Sequence, residues 1–150
     1  MQKNIANLVM LLLMASCLTC LGDSFRVSRI LDKGTKGSVE MIAKDAGNEE
    51  KIFVEKLAIV SSKDVKEAYA QMHPDGGIFI RLTNAGGERM LQATKKMNHG
   101  VDRLAVILEG KVIHTATIRH NIGTSFQISG FTGLDYNERS AIARKIKPQK

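Results

Sequence analysis

Apolar and polar residues alternate along much of the chain, and this alternation predicts a protein built mainly from half-buried β-strands. In residues 24–31, for example, Phe25 and Val27 alternate with Arg26 and Ser28. Short segments such as GTKG and DAGNEE separate the alternating stretches and predict turns. The strands predicted in this way cover residues 24–31, 38–44, 51–60 (one strand or a pair), 78–83 and 124–130.

The apolar spacing changes to that of a helix in residues 61–72. Ser61 with Asp64 three residues later is a capping pattern typical of a helix N-terminus. The apolar residues that then follow at helical spacing are Val65, Ala68, Tyr69 and Met72. This segment is therefore predicted to be the first helix.

Two further helices are predicted. One begins at Asn84, although its two early glycines weaken the first turn. Its predicted buried residues are Met90, Leu91, Thr94 and Met97. The other occupies residues 131–146, where Thr132 and Asp135 again have the spacing of a helix cap.

Residues 104–118 contain two apolar runs that flank the pair Glu109-Gly110. This arrangement predicts a β-hairpin with a tight turn in which Gly110 adopts a positive φ. Short, mostly antiparallel strands combined with helices pack as an α+β fold. We expect a two-layer sandwich, with a mostly antiparallel sheet and about three helices on one face, formed by a single domain over residues 23–150.

The first 22 residues have the composition of a secretory signal peptide. Lys3 precedes an uncharged segment, residues 5–22, whose strongly apolar part is about ten residues long and is followed by small residues. We expect the protein to be exported to the cell envelope or secreted. A retained membrane anchor is the main alternative.

Both cysteines lie in this leader. The segment LMASC, residues 13–17, is similar to a bacterial lipobox, which makes Cys17 a lipidation candidate and predicts a lipoprotein anchored in the membrane. Cleavage beyond Cys20 would instead release a soluble protein. In either case the mature domain lacks a disulfide, so its stability must come from packing.

The chain is basic, with 22 Lys and Arg against 15 Asp and Glu and a net charge of +7. Removal of Lys3 with the leader leaves +6, since 21 cations then face the same 15 anions. The cations are dispersed and no aromatic-basic stripe is present, so nucleic acid is not expected as a partner. In an envelope protein such a surface is suited to anionic headgroups or acidic polymers.

No residue pattern predicts catalysis, a metal site or a cofactor. His114 and His120 are the nearest to a metal pair, but no HExxH or Cys-His spacing supports them. Glu49 and Glu50 would point to opposite sides of an extended segment. Gly86 and Gly87 lie at a predicted helix start, where an anion could bind. Close packing is the simpler explanation of this glycine pair. We therefore expect no enzyme activity.

A series of motifs in the second half of the chain resembles a known family. They are Gly86, Met90 and Thr94 at intervals of four, the hairpin LAVILEGKV, Ile118, Ile122, Ile128, Gly123 and Gly130, and Phe131-Thr132 before the last helix. The pattern is similar to the head subdomain of the first periplasmic domain of SecD, an accessory subunit of the bacterial protein-export translocase. The resemblance covers about residues 52–146 and rests on structural glycines, notably Gly110, Gly123 and Gly130, and on core positions.

Three positions depart from that pattern: Thr117 replaces a proline, Thr124 replaces the second of two glycines, and Glu109 replaces an aspartate. The chain also lacks the many membrane helices of SecD. The resemblance implies a free-standing head that contacts polypeptide or another envelope protein, with strand addition at a sheet edge as one mode. The alternative is a structural or interaction lipoprotein whose basic face contacts the membrane or an anionic envelope polymer.

Overall fold

The computed structural model describes residues 24–45, 48–73, 76–131 and 133–147. In chain order the strands are β1 Phe25–Leu31, β2 Ser38–Asp45, β3 Asn48–Glu55, β4 Val60–Ser61, β5 Val65–Ala70, β6 Ile78–Leu82, β7 Arg103–Leu108, β8 Lys111–Thr117 and β9 Ser125–Ile128. A 3-10 turn, Ser62–Asp64, follows β4. The helices are α1 Asn84–Lys95 and α2 Tyr136–Ile146. Neither helix is long and apolar enough to cross a membrane, and no other helix in the described part of the chain is.

Five strands close into a small barrel. The strand order is β3-β2-β8-β7-β1, and β1 pairs with β3 through Ile30–Val54 and Leu31–Phe53 to complete the circle. All these pairings are antiparallel except the one between β2 and β8, which is parallel. The short strand β4 lies outside the circle beside β1. Closure leaves few free edges, because each barrel strand has a neighbour on both sides along at least part of its length.

A second, antiparallel sheet has the order β5-β6-β9. It packs with α1 and α2 against the barrel. The buried residues of this core include Ile78, Ile80 and Ile128 from the sheet and Met90 and Ile146 from the helices. The opposite face of the sheet is more exposed and contains Tyr69 and Phe79, whose ring centroids are 5.2 Å apart.

Strand β7 separates two clusters of buried side chains. Leu104, Val106 and Leu108 face the main core between the barrel and the second sheet. Ala105 and Ile107 face the interior of the barrel, where they contact a small cluster of buried residues that comprises Ala43, Ile52 and Val54. Residues 104–108 of β7 are each at most 5% exposed, so this part of the strand is covered on both faces.

The predicted two-layer sandwich with about three helices is wrong. The described residues contain two α-helices and a barrel-like sheet. The first strand of the hairpin explains part of the error: in a two-layer sandwich one face of β7 would be open to solvent, whereas closure of the barrel buries both faces of β7.

The helix predicted for residues 61–72 is also wrong, because the segment forms the 3-10 turn and strand β5. A β-bulge between Val65 and Glu67 inserts one extra residue, so the inward-facing Val65 and Ala68 are three apart instead of two. That spacing imitates a helix. Tyr69 and Met72, the other two residues at helical spacing, are 48% and 85% exposed.

The other two predicted helices are present, although the last one begins at Tyr136 instead of residue 131. The α1 helix begins at Asn84, with Thr83 as N-cap accepting a bond from Gly86 N–H at 3.1 Å. Met90, Thr94 and Met97 are buried as predicted, whereas Leu91 is half-buried. Asp135 caps α2 through a reciprocal pair of bonds with Glu138, each 2.8 Å. The predicted Thr132 cap lies outside the described residues.

Candidate functional site

The weakest seam of the barrel lies between β2 and β8. Within the described residues, the recorded pairing of these strands is confined to Ala43 with Val112. On its other side β2 is fully paired, since all eight of its residues are in register with β3. The first half of β2, residues 38–42, therefore has a strand neighbour on one side and an open edge on the other.

The alternation of the β2–β3 ladder determines which backbone groups point to that open edge. Lys56 N–H donates to Gly37 O at 2.9 Å, so the backbone groups of Gly37 face β3. In an antiparallel pair every second residue directs its N–H and C=O towards the same neighbour. Glu40 and Ile42 are out of phase with Gly37, so their backbone donors and acceptors point away from β3. The parallel pairing of Ala43 with Val112 uses the C=O of Ile42, which leaves both backbone groups of Glu40 and the N–H of Ile42 at the open edge.

A groove of about 610 Å³ runs along this edge. Its walls are formed by Glu40, Met41, Ile42 and Lys44 of β2, and by Gly110, Lys111 and Val112 at the β7–β8 turn and the start of β8. Two apolar side chains of β2 are exposed here or next to it: Val39 at 38% and Ile42 at 43%. The groove therefore combines free backbone groups with exposed apolar side chains, which are the two features that an added strand uses.

The charges of β2 are largely balanced. Lys51 Nζ lies 3.1 Å from Glu40 Oε1, and Lys44 Nζ lies 2.7 Å from Glu49 Oε1. The hydrogen bond and the charge of Glu49 raise the pKa of Lys44, and those of Lys44 lower the pKa of Glu49. Because these pairs are exposed and water screens them, they neutralise the surface of the β2–β3 hairpin without adding much stability.

Two other cavities are less suited to an extended partner. One of about 270 Å³ lies where β1 meets β3, and Arg103 occupies part of its wall with two hydrogen bonds to Glu50, 2.8 and 2.9 Å long. The bonds from Arg103 lower the pKa of Glu50 and keep this pair ionised. The other, about 420 Å³, lies beside the start of α1, where β6 is already paired on both sides by β5 and β9.

The glycines singled out in the sequence occupy different environments. Gly110 has φ +77 in the β7–β8 turn beside Glu109 with φ +49, which is the geometry of a two-residue hairpin turn. Gly130 has φ +88, and a Cβ there would lie 3.4 Å from His114 Nδ1. A Cβ at Gly123 would meet nothing within 4 Å. The lipidation candidate Cys17 lies outside the described residues.

The described residues contain no group of His, Cys, Asp and Glu able to hold a metal ion. Glu49 and Glu50 have separate partners, Lys44 and Arg103, so they do not form an acid pair. Side chains at Gly86 and Gly87 would collide with neighbours, since a Cβ on Gly87 would lie 2.5 Å from Thr124. Close packing accounts for these glycines.

Two charged residues hold the second sheet and the helices in place, and the sequence pattern indicated only a capping role for Asp64 and no role for Arg139. Asp64 accepts a bond from Ser61 N–H at 2.9 Å and is paired with Arg89 of α1. Burial by itself raises the pKa of Asp64, but the bonds from Arg89 and Ser61 and the charges of Arg89 and Lys63 outweigh burial and lower it.

The second is Arg139, which is 2% exposed. Its guanidinium donates to Leu134 O at 2.8 Å and to His73 O at 3.0 Å, and thereby fixes the segment after β5 to α2. The sequence could have predicted the burial of Arg139, because Arg139 precedes Ile142 and Ile146 at helical spacing and so lies on the apolar face of its helix.

Comparison with known proteins relates the chain to one group. The profile of the family described as "SecDF, P1 head subdomain" matches residues 39–143. The protein translocase subunit SecD of Koribacter versatilis (strain Ellin345) is 34% identical over 88 residues, which is 57% of this chain and 16% of that subunit. The chain thus spans about a sixth of the length of this curated relative.

Solved structures show the same fold at low identity. A structure described as a membrane component SecDF that enhances protein export aligns with a TM-score of 0.58 at 16% identity, over 82% of this chain and 61% of that one. SecDF in a super-membrane-facing form aligns with a TM-score of 0.57 at 17% identity, over 82% of this chain and 18% of that one. Identities this low support the fold alone.

Proposed function

Because this chain belongs to the SecDF P1 head subdomain family, we propose that it is an accessory protein of polypeptide export that binds extended segments of polypeptide. The related subunit of Koribacter versatilis is a protein translocase subunit, and a solved relative enhances protein export. The proposed role is binding without catalysis, and it needs no cofactor.

The open edge of β2 is the observation that carries this proposal. An extended segment laid beside residues 38–42 would bond to the backbone groups of Glu40 and to Ile42 N–H, and its side chains would contact Val39 and Ile42. Strand addition through the main chain depends little on the sequence of the added segment. That property suits a protein that meets many different unfolded chains.

A proline at Glu40 tests this edge. Glu40→Pro removes an N–H that points away from β3, and proline is tolerated at such edge positions, so the β2–β3 pairing should survive. Glu40→Ala is the matched control, because it loses the carboxylate but keeps the N–H. The probe is a fluorescently labelled, reduced and alkylated unfolded polypeptide, and its affinity is measured by anisotropy.

We expect Glu40→Pro to weaken binding by about tenfold, since one added-strand hydrogen bond of roughly 1 kcal/mol is lost and its neighbour is disturbed. Glu40→Ala should bind like the wild type. Circular dichroism verifies that both variants are folded. Equal affinity for all three proteins would exclude the β2 edge as the binding site.

We further propose that the protein is exported and anchored in the cell envelope by a lipid at Cys17. The uncharged segment 5–22 and the lipobox-like residues 13–17 support this proposal. Expressed in a bacterium that processes lipoproteins, the protein should incorporate labelled fatty acid, and Cys17→Ala should abolish the label. If the wild type never becomes labelled, simple secretion replaces anchoring.

The alternative role is an interaction lipoprotein that adheres to an anionic surface without a polypeptide client, which the excess of cations favours. Ionic strength discriminates the two roles. Adhesion driven by charge decreases as salt screens it, whereas strand addition does not. Binding of the unfolded polypeptide should therefore persist in 1 M salt, where the Debye length is about 3 Å.

A further inference from the structure

A basic surface surrounds the point at which the described chain begins. Ser24 O accepts a hydrogen bond from Glu109 N–H at 2.6 Å, and Ser24 Oγ lies 3.0 Å from Ser62 Oγ. The next residue, Phe25, donates its N–H to Ser62 Oγ at 3.0 Å. Ser24, the first described residue, therefore lies between the β7–β8 turn and the 3-10 turn.

Cations from three elements meet at this point. Lys63 follows Ser62, and Lys111 follows the β7–β8 turn. Lys145 Nζ lies 2.9 Å from Glu109 Oε2, which brings the last turn of α2 to the same place. We call this surface the N-terminal face and define it by Ser24, Lys63, Glu109, Lys111 and Lys145, together with Arg144 and Lys147, which flank Lys145 in sequence at the end of α2.

The N-terminal face has a clear excess of positive charge. Among the described residues it contains five cations and one carboxylate, Glu109, which is already paired with Lys145. The sequence adds one further carboxylate, Asp23, directly before Ser24, so five cations face two carboxylates and three positive charges remain in excess by count. Asp64, one residue beyond Lys63, is 7% exposed and paired with Arg89, so its charge is largely withdrawn from the surface. Lys63, Lys111 and Arg144 are exposed, and Lys147 is half-exposed.

The sequence before Ser24 indicates what this face meets. Residues 5–22 contain no charge, and Cys17 lies seven residues before Ser24. Seven extended residues reach at most about 25 Å. A bilayer that holds a lipid on Cys17 therefore stays within this distance of Ser24, and hence near the N-terminal face.

We infer that the N-terminal face lies against the anionic headgroups of the membrane in which the chain is anchored. This inference rests on the anchoring proposed above and is independent of the polypeptide site. A lipid anchor supplemented by basic residues holds a protein more firmly than either does alone. Each Lys or Arg near an anionic surface contributes enough attraction to change occupancy about fivefold. The short tether and the cations together would fix the orientation of the domain.

Lysine footprinting of the full chain tests the orientation. The protein, purified with its processed N-terminus and with fatty acid incorporation verified, is reconstituted in phosphatidylcholine vesicles with or without phosphatidylglycerol. A water-soluble acetylating reagent then modifies exposed lysines, and mass spectrometry gives the rate at each. Lys63, Lys111 and Lys147 should react several-fold more slowly in the anionic vesicles, and Lys95 and Lys96 should react equally in both.

Two matched triple variants locate the contact. The test variant combines Lys63→Gln, Arg144→Gln and Lys147→Gln, and leaves Lys111 in place as the reporter and as part of the β2 groove. The control variant combines Lys95→Gln, Lys96→Gln and Arg119→Gln, which removes the same charge elsewhere. The test variant should lose the lipid-dependent protection of Lys111, with occupancy reduced on the order of 100-fold, whereas the control variant should keep it.

Equal acetylation rates in both vesicle types, with fatty acid present, would overturn the inference, as would protection of Lys95 and Lys96 instead. Soluble polyglutamate provides the remaining comparison. If it protects Lys63 and Lys147 while anionic vesicles do not, the face binds acidic polypeptide and the membrane assignment is wrong. Absence of fatty acid would instead contradict the anchor itself.

Discussion

The two cores on either side of β7 differ in size and in composition. Among the described residues, the main core between the barrel and the second sheet contains 17 buried residues, most of them from the strands and helices. Within the same part of the chain the barrel interior contains five, two of them alanines. A five-stranded barrel has little internal volume, so it takes small side chains, while the large apolar surface of the protein lies outside it.

This difference indicates which half of the fold contributes more to the stability of the protein. The main core buries large side chains and anchors both helices. The barrel interior has fewer buried side chains in the described residues and borders the open β2 edge through Met41 and Val112. The proposed binding edge therefore belongs to the half of the molecule with fewer buried apolar contacts, as expected for a region that exchanges partners.

The largest expected effect comes from a carboxylate on either face of β7. Ala105 is 0% exposed towards the barrel interior and Val106 is 4% exposed towards the main core. Ala105→Asp and Val106→Asp should each cost about 3–5 kcal/mol, since each leaves a buried charge without a partner. Denaturant unfolding measures both, with the exposed Gln127→Asp as control. One mild and one severe loss would mean that β7 is covered on a single face.

Truncation of an isoleucine compares the two cores directly. Ile80→Ala in the main core and Ile52→Ala in the barrel should cost about 2–5 kcal/mol, with Ile80 nearer the upper value. We expect the smaller loss at Ile52 because fewer buried side chains surround it in the barrel interior. Ile42→Ala on the exposed edge should change the unfolding free energy little. If Ile52 proves the costlier site, the barrel interior is the rigid half.

Glycine substitutions compare the barrel turn with the end of the second sheet. Gly110→Val should cost about 1–3 kcal/mol because valine is strained at a positive φ. Gly130→Val should cost a similar amount, because the φ of Gly130 is +88 and its Cβ would make only an ordinary contact with His114. Gly123→Val should stay within about 0.5 kcal/mol of the wild type. Thermal unfolding ranks the three, and an equal loss at Gly123 would contradict this assignment.

Asp64 follows β4, which pairs with the barrel strand β1, and its partner Arg89 lies on α1. Asp64→Asn should give the smallest loss of unfolding free energy, about 1 kcal/mol at neutral pH, because Arg89 is half-exposed and water screens the pair. The pKa of Asp64 is lowered in the folded protein, so the carboxylate contributes stability above its ordinary pKa of about 4, and this contribution is lost as the pH falls below that value. The difference in unfolding free energy between wild type and Asp64→Asn should therefore shrink between pH 5 and pH 3. A constant difference would exclude the charge as its source.

Local patterns predicted most of the elements but not their arrangement. The strands 24–31 and 38–44, the hairpin and the last two helices could be read from apolar spacing because each depends on its own residues. Barrel closure depends on the contact of Ile30 with Val54 across the chain, which no local pattern encodes. The β5 bulge misled the same reasoning by giving a strand a helical period.

The candidate site was less predictable than the fold. A sheet edge was expected to accept polypeptide, but β2 was indistinguishable from the other alternating segments. In the described residues, β2 differs from the other strands because it pairs with β8 at Ala43 and not before it. This difference results from the relative stagger of two strands that are distant in sequence. The buried Arg139 left a trace in the helical spacing, whereas the role of Asp64 emerged only from its contact with Arg89.

Site-specific photo-cross-linking to a chain in transit tests the central proposal most directly. A photoreactive amino acid replaces Ile42 on the β2 edge or, as controls, Leu57 and Tyr69, which are exposed at 80% and 48% but lie away from the groove. In cells that secrete a tagged, slowly exported protein, position 42 should cross-link to that protein and positions 57 and 69 should not. Cross-links at the control positions without any at position 42 would contradict the account.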